Sequence, residues 1–218
     1  MTMGMRIGIL GSGLMGGKLG TLFARAGHEV AFSYSRRQAK LKALAREAGP
    51  NATAGTPAEA AQHASALLLA AHWSRFDDVL GQAGDLAGKV IVTCSLPMNA
   101  DDTDLVVAHN SSGAEELAKR VPGARVVAAF NTVPSEVLFS VFERRGGSNS
   151  TDMLYYGDDQ SAKTVAAQLA RDVGFNPVDA DPLRTARYAE PFALLVAQLA
   201  YEGKGGPRLA YRFIRSAE

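Results

Sequence analysis

The feature that most limits what this chain can become lies between Arg6 and Arg37. An apolar run, Arg6-Ile7-Gly8-Ile9-Leu10, leads into Gly11-Ser12-Gly13-Leu14-Met15-Gly16. A helical stretch continues to Gly27, and a second apolar run begins at Glu29 and ends in Ser33-Tyr34-Ser35-Arg36-Arg37. Strand, glycine turn, helix and strand within about thirty residues make one βαβ unit. The glycines have separate jobs. Gly11 permits a tight turn, Gly13 leaves no Cβ between backbone and a pyrophosphate, and Gly16 lets the helix lie close on the strand. The unpaired N–H groups opening the helix then face the anion. A glycine turn alone can be a plain loop. Here its surroundings predict a dinucleotide site on Gly11, Ser12, Gly13, Leu14, Met15 and Gly16.

The end of the second strand selects the cofactor. Sites for NAD usually place Asp or Glu there to accept from the adenosine ribose hydroxyls, and that carboxylate would repel a 2′-phosphate. This chain offers Ser33, Ser35, Arg36 and Arg37 instead, with Lys40 in the following helix. Hydroxyls and guanidiniums suit a phosphate dianion. Two arginines at a helix start also oppose the macrodipole unless an anion is near. NADP is therefore expected, and Arg36→Ala should weaken NADPH by about 1–3 kcal/mol while nearly sparing NADH.

Composition removes several alternatives. Lysine and arginine number 23 against 22 aspartates and glutamates, so no basic field is available for a nucleic acid. The single cysteine, Cys94, excludes an internal disulfide framework and a cysteine-based metal cluster, which agrees with a reducing, cytoplasmic setting. Its apolar flank predicts a small core residue near a strand end. The first strand follows Met1-Thr2-Met3-Gly4 with no room for a cleavable signal, and no apolar run reaches the ~20 residues needed to span a bilayer.

Along the chain, the first helix should bury Leu14, Leu19, Leu22, Phe23 and Ala26. A second helix covers 38–48, and Thr56-Pro57-Ala58-Glu59 has the cap, proline and acidic residue of a helix start. Ala66 to Ala70 is a strand apolar on both faces, ending at Ala71-His72-Trp73-Ser74. Residues just beyond the carboxyl ends of parallel strands line the ligand crevice, which places Ala71, His72 and Trp73 beside the cofactor. His72 reads equally well as a capping residue. Lys89 to Cys94 delivers Ser95 to the same edge, and Arg125 to Phe130 delivers Asn131, Thr132 and Val133. Asn131 and Thr132 are expected to meet the nicotinamide or its partner. Asp101, Asp102 and Asp104 read as a solvated loop, and no metal site is expected.

A helix over 134–145, a glycine loop at Gly146-Gly147-Ser148-Asn149-Ser150, a strand over 153–156, a helix over 161–173 and a strand over 176–180 complete the alternation. The expected fold is an α/β, doubly wound, mostly parallel sheet of seven or eight strands over residues 1–180. Residues 181–218, helical around 187–201, form a segment too short to fold alone that covers the crevice, within one chain or across a homodimer. No sequence feature decides whether Arg187, Tyr188 or Glu190 reaches the second substrate. Side-chain acid–base candidates are scarce, with His72, Asn131 and Thr132 the closest. Hydride transfer between two ring systems depends mostly on positioning and suits that scarcity.

The glycine turn, Ser35-Arg36-Arg37, Trp73, Ala129-Phe130-Asn131-Thr132-Val133-Pro134, Tyr156-Gly157-Asp158-Asp159, Asp179-Ala180-Asp181-Pro182-Leu183 and Gly205-Gly206-Pro207 together resemble the NADP:deazaflavin oxidoreductases. This is the NADPH-dependent coenzyme F-420 reductase family, to which the cytosolic domain of six-transmembrane metalloreductases is similar. The resemblance implies NADPH across the sheet's switch point, its 2′-phosphate on Ser35, Arg36 and Arg37, and a deazaflavin or flavin (FMN or FAD) ring stacked on the nicotinamide. It also implies a departure, because archaeal members have His where this chain has Asn131. Two other readings stay open at this stage: an NADPH-binding sensor without turnover, and a reductase of the imine or pyrroline-carboxylate type.

Overall fold

The computed structural model describes residues 4–147 and 150–216. Eight strands form one sheet in the order β3-β2-β1-β4-β5-β6-β7-β8. The first six are β1 (Arg6–Leu10), β2 (Glu29–Ser33), β3 (Ala52–Ala54), β4 (Ala66–Leu69), β5 (Val90–Thr93) and β6 (Arg125–Ala129); β7 (Asp152–Gly157) and β8 (Asn176–Asp179) follow. Helices α1 (Leu14–Arg25), α2 (Gln38–Ala48), α3 (Pro57–Gln62), α4 (Phe76–Ala83), α5 (Gly113–Arg120), α6 (Leu138–Glu143) and α7 (Gln160–Asp172) connect them, and α8 (Ala186–Tyr201) follows the sheet.

The central strands are continuously apolar because both faces are covered. In β4, Ala66 and Leu68 face the layer with α1 and α7, whereas Leu67 and Leu69 face the layer with α3, α4 and α5. In β5 and β6 the same alternation assigns Val90, Val92, Val127 and Ala129 to the first layer and Ile91, Val126 and Ala128 to the second. The start of α3 forms as its sequence requires. Thr56 accepts from the Glu59 N–H at 3.2 Å, and Glu59 accepts from the Thr56 N–H at 2.7 Å.

The chain runs outward from β1 to β3, then returns to lay β4 against the other side of β1. This reversal is the switch point at which an open parallel sheet leaves a crevice. β7 pairs with β6 antiparallel and with β8 parallel, so the last two strands oppose the other six. The start of β7 therefore stands at the crevice edge of β6. The expected helix over 134–145 is a 3₁₀ turn at Ser135–Val137 followed by α6. Of the expected glycine loop, Ser148 and Asn149 lie outside the described residues, as do Met1, Thr2 and Met3 at the N-terminus. No described helix is long and apolar enough to cross a membrane.

Candidate functional site

The glycine turn is held from three sides. Gly11 has φ +113, and its N–H reaches the Ser33 carbonyl at 3.3 Å. Ser12 donates its hydroxyl to the same carbonyl at 2.8 Å, so its side chain ties the turn to β2. Gly16 does not line the crevice; it lies behind the turn, where a Cβ would stand 1.9 Å from the Gly11 carbonyl oxygen. At Gly13 an added Cβ would meet nothing within 4 Å, so its face of the turn is open. Gly13 caps α1 without a side-chain bond, and no acidic residue occupies the first turn. The N–H groups there remain available to an anion. Leu14 was expected in the core stripe of α1 but is 72% exposed, because the first residue of the helix projects over the crevice.

Two cavities meet along this turn. The larger, about 1080 Å3, runs from Gly11, Ser12 and Gly13 to Ser35, Arg36, Arg37 and Lys40. Arg36, Arg37 and Lys40 are exposed and make no ion pair among the described residues. Arg37 caps α2, whose first turn also lacks an acidic residue. Three cations at a helix start with no side-chain cap bond suit a phosphate. Tyr34, Thr56 and Arg75, which are not among the expected site residues, line the same cavity. Tyr34 has φ +58 and donates its hydroxyl to Asp78 at 2.6 Å. Burial, with the Asp78 carboxylate second, pushes its phenol up to about 12. A turn residue with positive φ has no marker in the sequence unless it is glycine, asparagine or aspartate.

The second cavity, about 510 Å3, shares Gly13, Ala70, Ala71 and His72 with the first. It brings together the predicted Leu14, Met15, Ser95, Asn131, Thr132 and Val133, and closes under Ala193, Leu194, Val196, Ala197 and Tyr201 of α8. Cys94 lies at its edge, 7% exposed, and burial pushes its thiol up to about 12, so it is an inert thiol. Among the described residues, no lysine or arginine lines this cavity. At its floor Phe130 turns the chain with φ +67, a conformation that costs about 1–3 kcal/mol in a bulky residue. Phe23 and Phe175 pack its ring edge-on at 6.0 and 6.2 Å and hold it there.

The residues after that bend carry the polar chemistry. Asn131 donates from Nδ2 to the Tyr156 hydroxyl at 2.7 Å, and its Oδ1 is a buried acceptor with no partner among the described residues. Burial, with Glu190 nearby, pushes the Tyr156 phenol well above its ordinary range, so it stays protonated. Thr132 is fully buried, and its Oγ1 lies 2.6 Å from the Tyr211 hydroxyl. The site thus presents an unpaired carbonyl oxygen beside a hydroxyl.

The structure places two of the expected site residues, Trp73 and His72, as follows. Trp73 lines neither cavity; its ring packs on Phe76 at 4.8 Å between centroids, with the Arg120 guanidinium 4.4 Å above it. The 3₁₀ turn at Trp73–Arg75 swings the indole onto α4 and away from the strand end. His72 does line both cavities, but its ring is occupied. Its Nδ1 accepts from the Ser74 N–H at 3.2 Å, which leaves the proton on Nε2, 3.2 Å from both the Asn99 carbonyl and Asp102. His72 is a cap that ties two loops together, and as an acid it would have to break those bonds. The question left open for the last segment also has an answer. Arg187 forks onto Glu115 at 2.9 and 2.8 Å, Glu190 accepts from the Gly113 and Ala114 N–H groups at 2.8 and 3.0 Å, and Tyr188 faces outward. These bonds dock α8 on α5.

Comparisons with known proteins agree with this fold. Residues 6–97 match the family described as NADP oxidoreductase, coenzyme F420-dependent. The metalloreductase STEAP3 of Rattus norvegicus is 30% identical over 217 residues, which take in 96% of this chain and 42% of that protein, so the chain spans less than half of that relative. Among solved structures, a candidate F420-dependent NADP reductase from Arthrobacter sp. FB24 superposes with a TM-score of 0.84 at 24% identity, covering 97% of this chain and 100% of that one. The hypothetical protein SMa0349 of Sinorhizobium meliloti gives 0.75 at 26%, covering 95% of each. An imine reductase of Aspergillus terreus in complex with NADPH4 gives 0.65 at 19%, covering 90% of this chain and 61% of that one, and shares the fold. Over residues 6–97 the chain is thus similar to the NADP oxidoreductases of the coenzyme F420-dependent family.

Proposed function

We propose that the protein moves hydride between NADPH and the ring of a deazaflavin, such as coenzyme F-420, or of a flavin. One observation carries this reading: the unpaired Oδ1 of Asn131 beside Thr132, at the floor of a cavity contiguous with the glycine turn. A buried acceptor without a partner costs about 1–3 kcal/mol. A carboxamide supplies what that pair lacks, its NH2 donating to Asn131 and its carbonyl accepting from Thr132. The adenosine end then lies along Tyr34, Ser35, Arg36, Arg37 and Lys40, and the pyrophosphate on the N–H groups of Gly13, Leu14 and Met15.

Bound NADPH supplies the hydride. The chain's residues bind, orient and exclude water, and the proton that accompanies reduction comes from solvent, because the one histidine at the site is tied into the loops. A second substrate carrying a carboxylate, such as a 2-oxo acid, would find no cation in the 510 Å3 cavity and would face Asp102. A planar ring whose charged tail extends outward fits better. The aliphatic lining from Leu14, Met15, Leu194 and Ala197 suits one face of such a ring.

The test is NADPH oxidation with oxidised deazaflavin in one cuvette and FMN in another. Turnover with either supports hydride transfer and identifies the acceptor. Absence of turnover in both, with tight NADPH binding retained, replaces the reading with that of an NADPH sensor. Because Arg36 is exposed, its contribution belongs at the low end of the range for charge-assisted bonds. Arg36→Ala should weaken NADPH by about 1 kcal/mol, close to fivefold, and leave NADH unchanged in the same titration.

A further inference from the structure

Beyond the switch-point residues, the chain after α8 returns to the site. Tyr211 sits between Phe192 and Phe213, its ring edge-on to both at 5.2 and 5.4 Å between centroids. Its carbonyl accepts from the Asp152 N–H at 3.2 Å, and Asp152 in turn accepts from the Phe213 N–H at 2.6 Å. This clip fixes the tail to the start of β7. It is possible because β7 runs antiparallel to β6, which sets Asp152 and Leu154 at the same edge as Thr132.

The hydrogen bonds at the Tyr211 hydroxyl have a direction. The Leu154 N–H can only donate, so Oη accepts from it, at 3.3 Å. The other partner is the Thr132 Oγ1 at 2.6 Å. Either hydroxyl can donate in this bond, and the greater acidity of a phenol over an aliphatic hydroxyl favours the tyrosine proton on the bond to Thr132. The threonine's own proton then points elsewhere, and Thr132 lines the cavity beside the unpaired Asn131 Oδ1. Tyr156 works in parallel on Asn131: by accepting from Nδ2 it leaves Oδ1, and not the NH2, as the free atom. We propose that Tyr211 is a positioning residue that orders Thr132 as a hydroxyl donor toward the carboxamide carbonyl of NADPH, so that the tail completes the nicotinamide end of the site.

The inference rests on the NADPH reading above, and the test separates the two. Affinities are measured for NADPH and for 2′,5′-ADP, which has the adenosine phosphates and lacks the nicotinamide. Tyr211→Phe keeps the ring stack and removes the hydroxyl. It is expected to weaken NADPH about fivefold, the value of one ordinary hydrogen bond, and leave 2′,5′-ADP unchanged. Thr132→Val should match it, Thr132→Ser should retain wild-type affinity, and the Tyr211→Phe/Thr132→Val double variant should be no weaker than either single one. Wild-type NADPH affinity in Tyr211→Phe alongside loss in Thr132→Val overturns the role of Tyr211 and leaves the NADPH reading standing. So do additive losses in the double variant, or equal weakening of both ligands by Tyr211→Phe. Wild-type NADPH affinity in both Thr132→Val and Asn131→Ala overturns the placement of the nicotinamide, and the role of Tyr211 with it.

Discussion

Gly16→Ala is expected to destabilise the protein by about 3 kcal/mol, at the upper end of what an added methyl costs in a packed interior. The new Cβ would stand 1.9 Å from the Gly11 carbonyl oxygen and 3.0 Å from the Ala70 Cβ. Neither neighbour has room to yield. Gly11 is itself held at φ +113, with the Ala70 carbonyl 2.6 Å from where its own Cβ would be, and both its flanks are bonded to β2. Gly13 is the control. It has φ −77 and open space around its missing side chain, so Gly13→Ala should fold with unchanged stability and lose affinity for NADPH alone. Urea midpoints of the two variants check the contrast; similar midpoints would mean that the turn yields more than its contacts allow.

The second large effect belongs to Glu190 and depends on pH. This carboxylate is 1% exposed on α8 and accepts two backbone N–H bonds from the start of α5. Those bonds and the helix dipole favour its charged form, but burial outweighs them and raises it from 4.5 to about 7. The native state therefore holds the proton more tightly than the unfolded chain. The stability contributed by the protonated carboxyl is fully present below pH 4.5 and is lost as pH rises to about 7. Between pH 5 and 8 the wild type should lose about 2–3 kcal/mol relative to Glu190→Gln, which cannot titrate. Comparison with that variant cancels carboxylates such as Glu115, which the Arg187 fork holds below its ordinary range and whose contribution is lost only in acid. Unfolding free energies that run parallel in the two proteins across this window would contradict the shift.

What the sequence disclosed and what it concealed divide along physical lines. β4, β5 and β6 were plain because a strand covered on both faces must be apolar throughout. The start of α3 was plain because Thr56 and Glu59 satisfy each other's backbone locally. That Ser35, Arg36 and Arg37 share one cavity follows from one strand end, and that Asn131 and Thr132 share the other from another. The direction of β7 is a property of pairing, and nothing within Asp152–Gly157 encodes it. The same holds for Trp73. A strand-end position located its backbone correctly, but a single 3₁₀ turn decided which way the indole points. Tyr211 and Glu190 were beyond reach for a related reason, since their partners lie 79 and 77 positions away in the chain.

Those separations also order events in time. The turn at Gly11 is tied to Ser33 and Tyr34 across little more than twenty positions, as in the 21 between Ser12 and Ser33. Contacts of such short span close with little loss of chain entropy and can form while later residues are still being synthesised. The bonds from Glu190 to α5 and from Tyr211 to Thr132 wait for a segment made much later. The turn at Gly11 therefore matures before the cavity wall that α8 and Tyr211 complete.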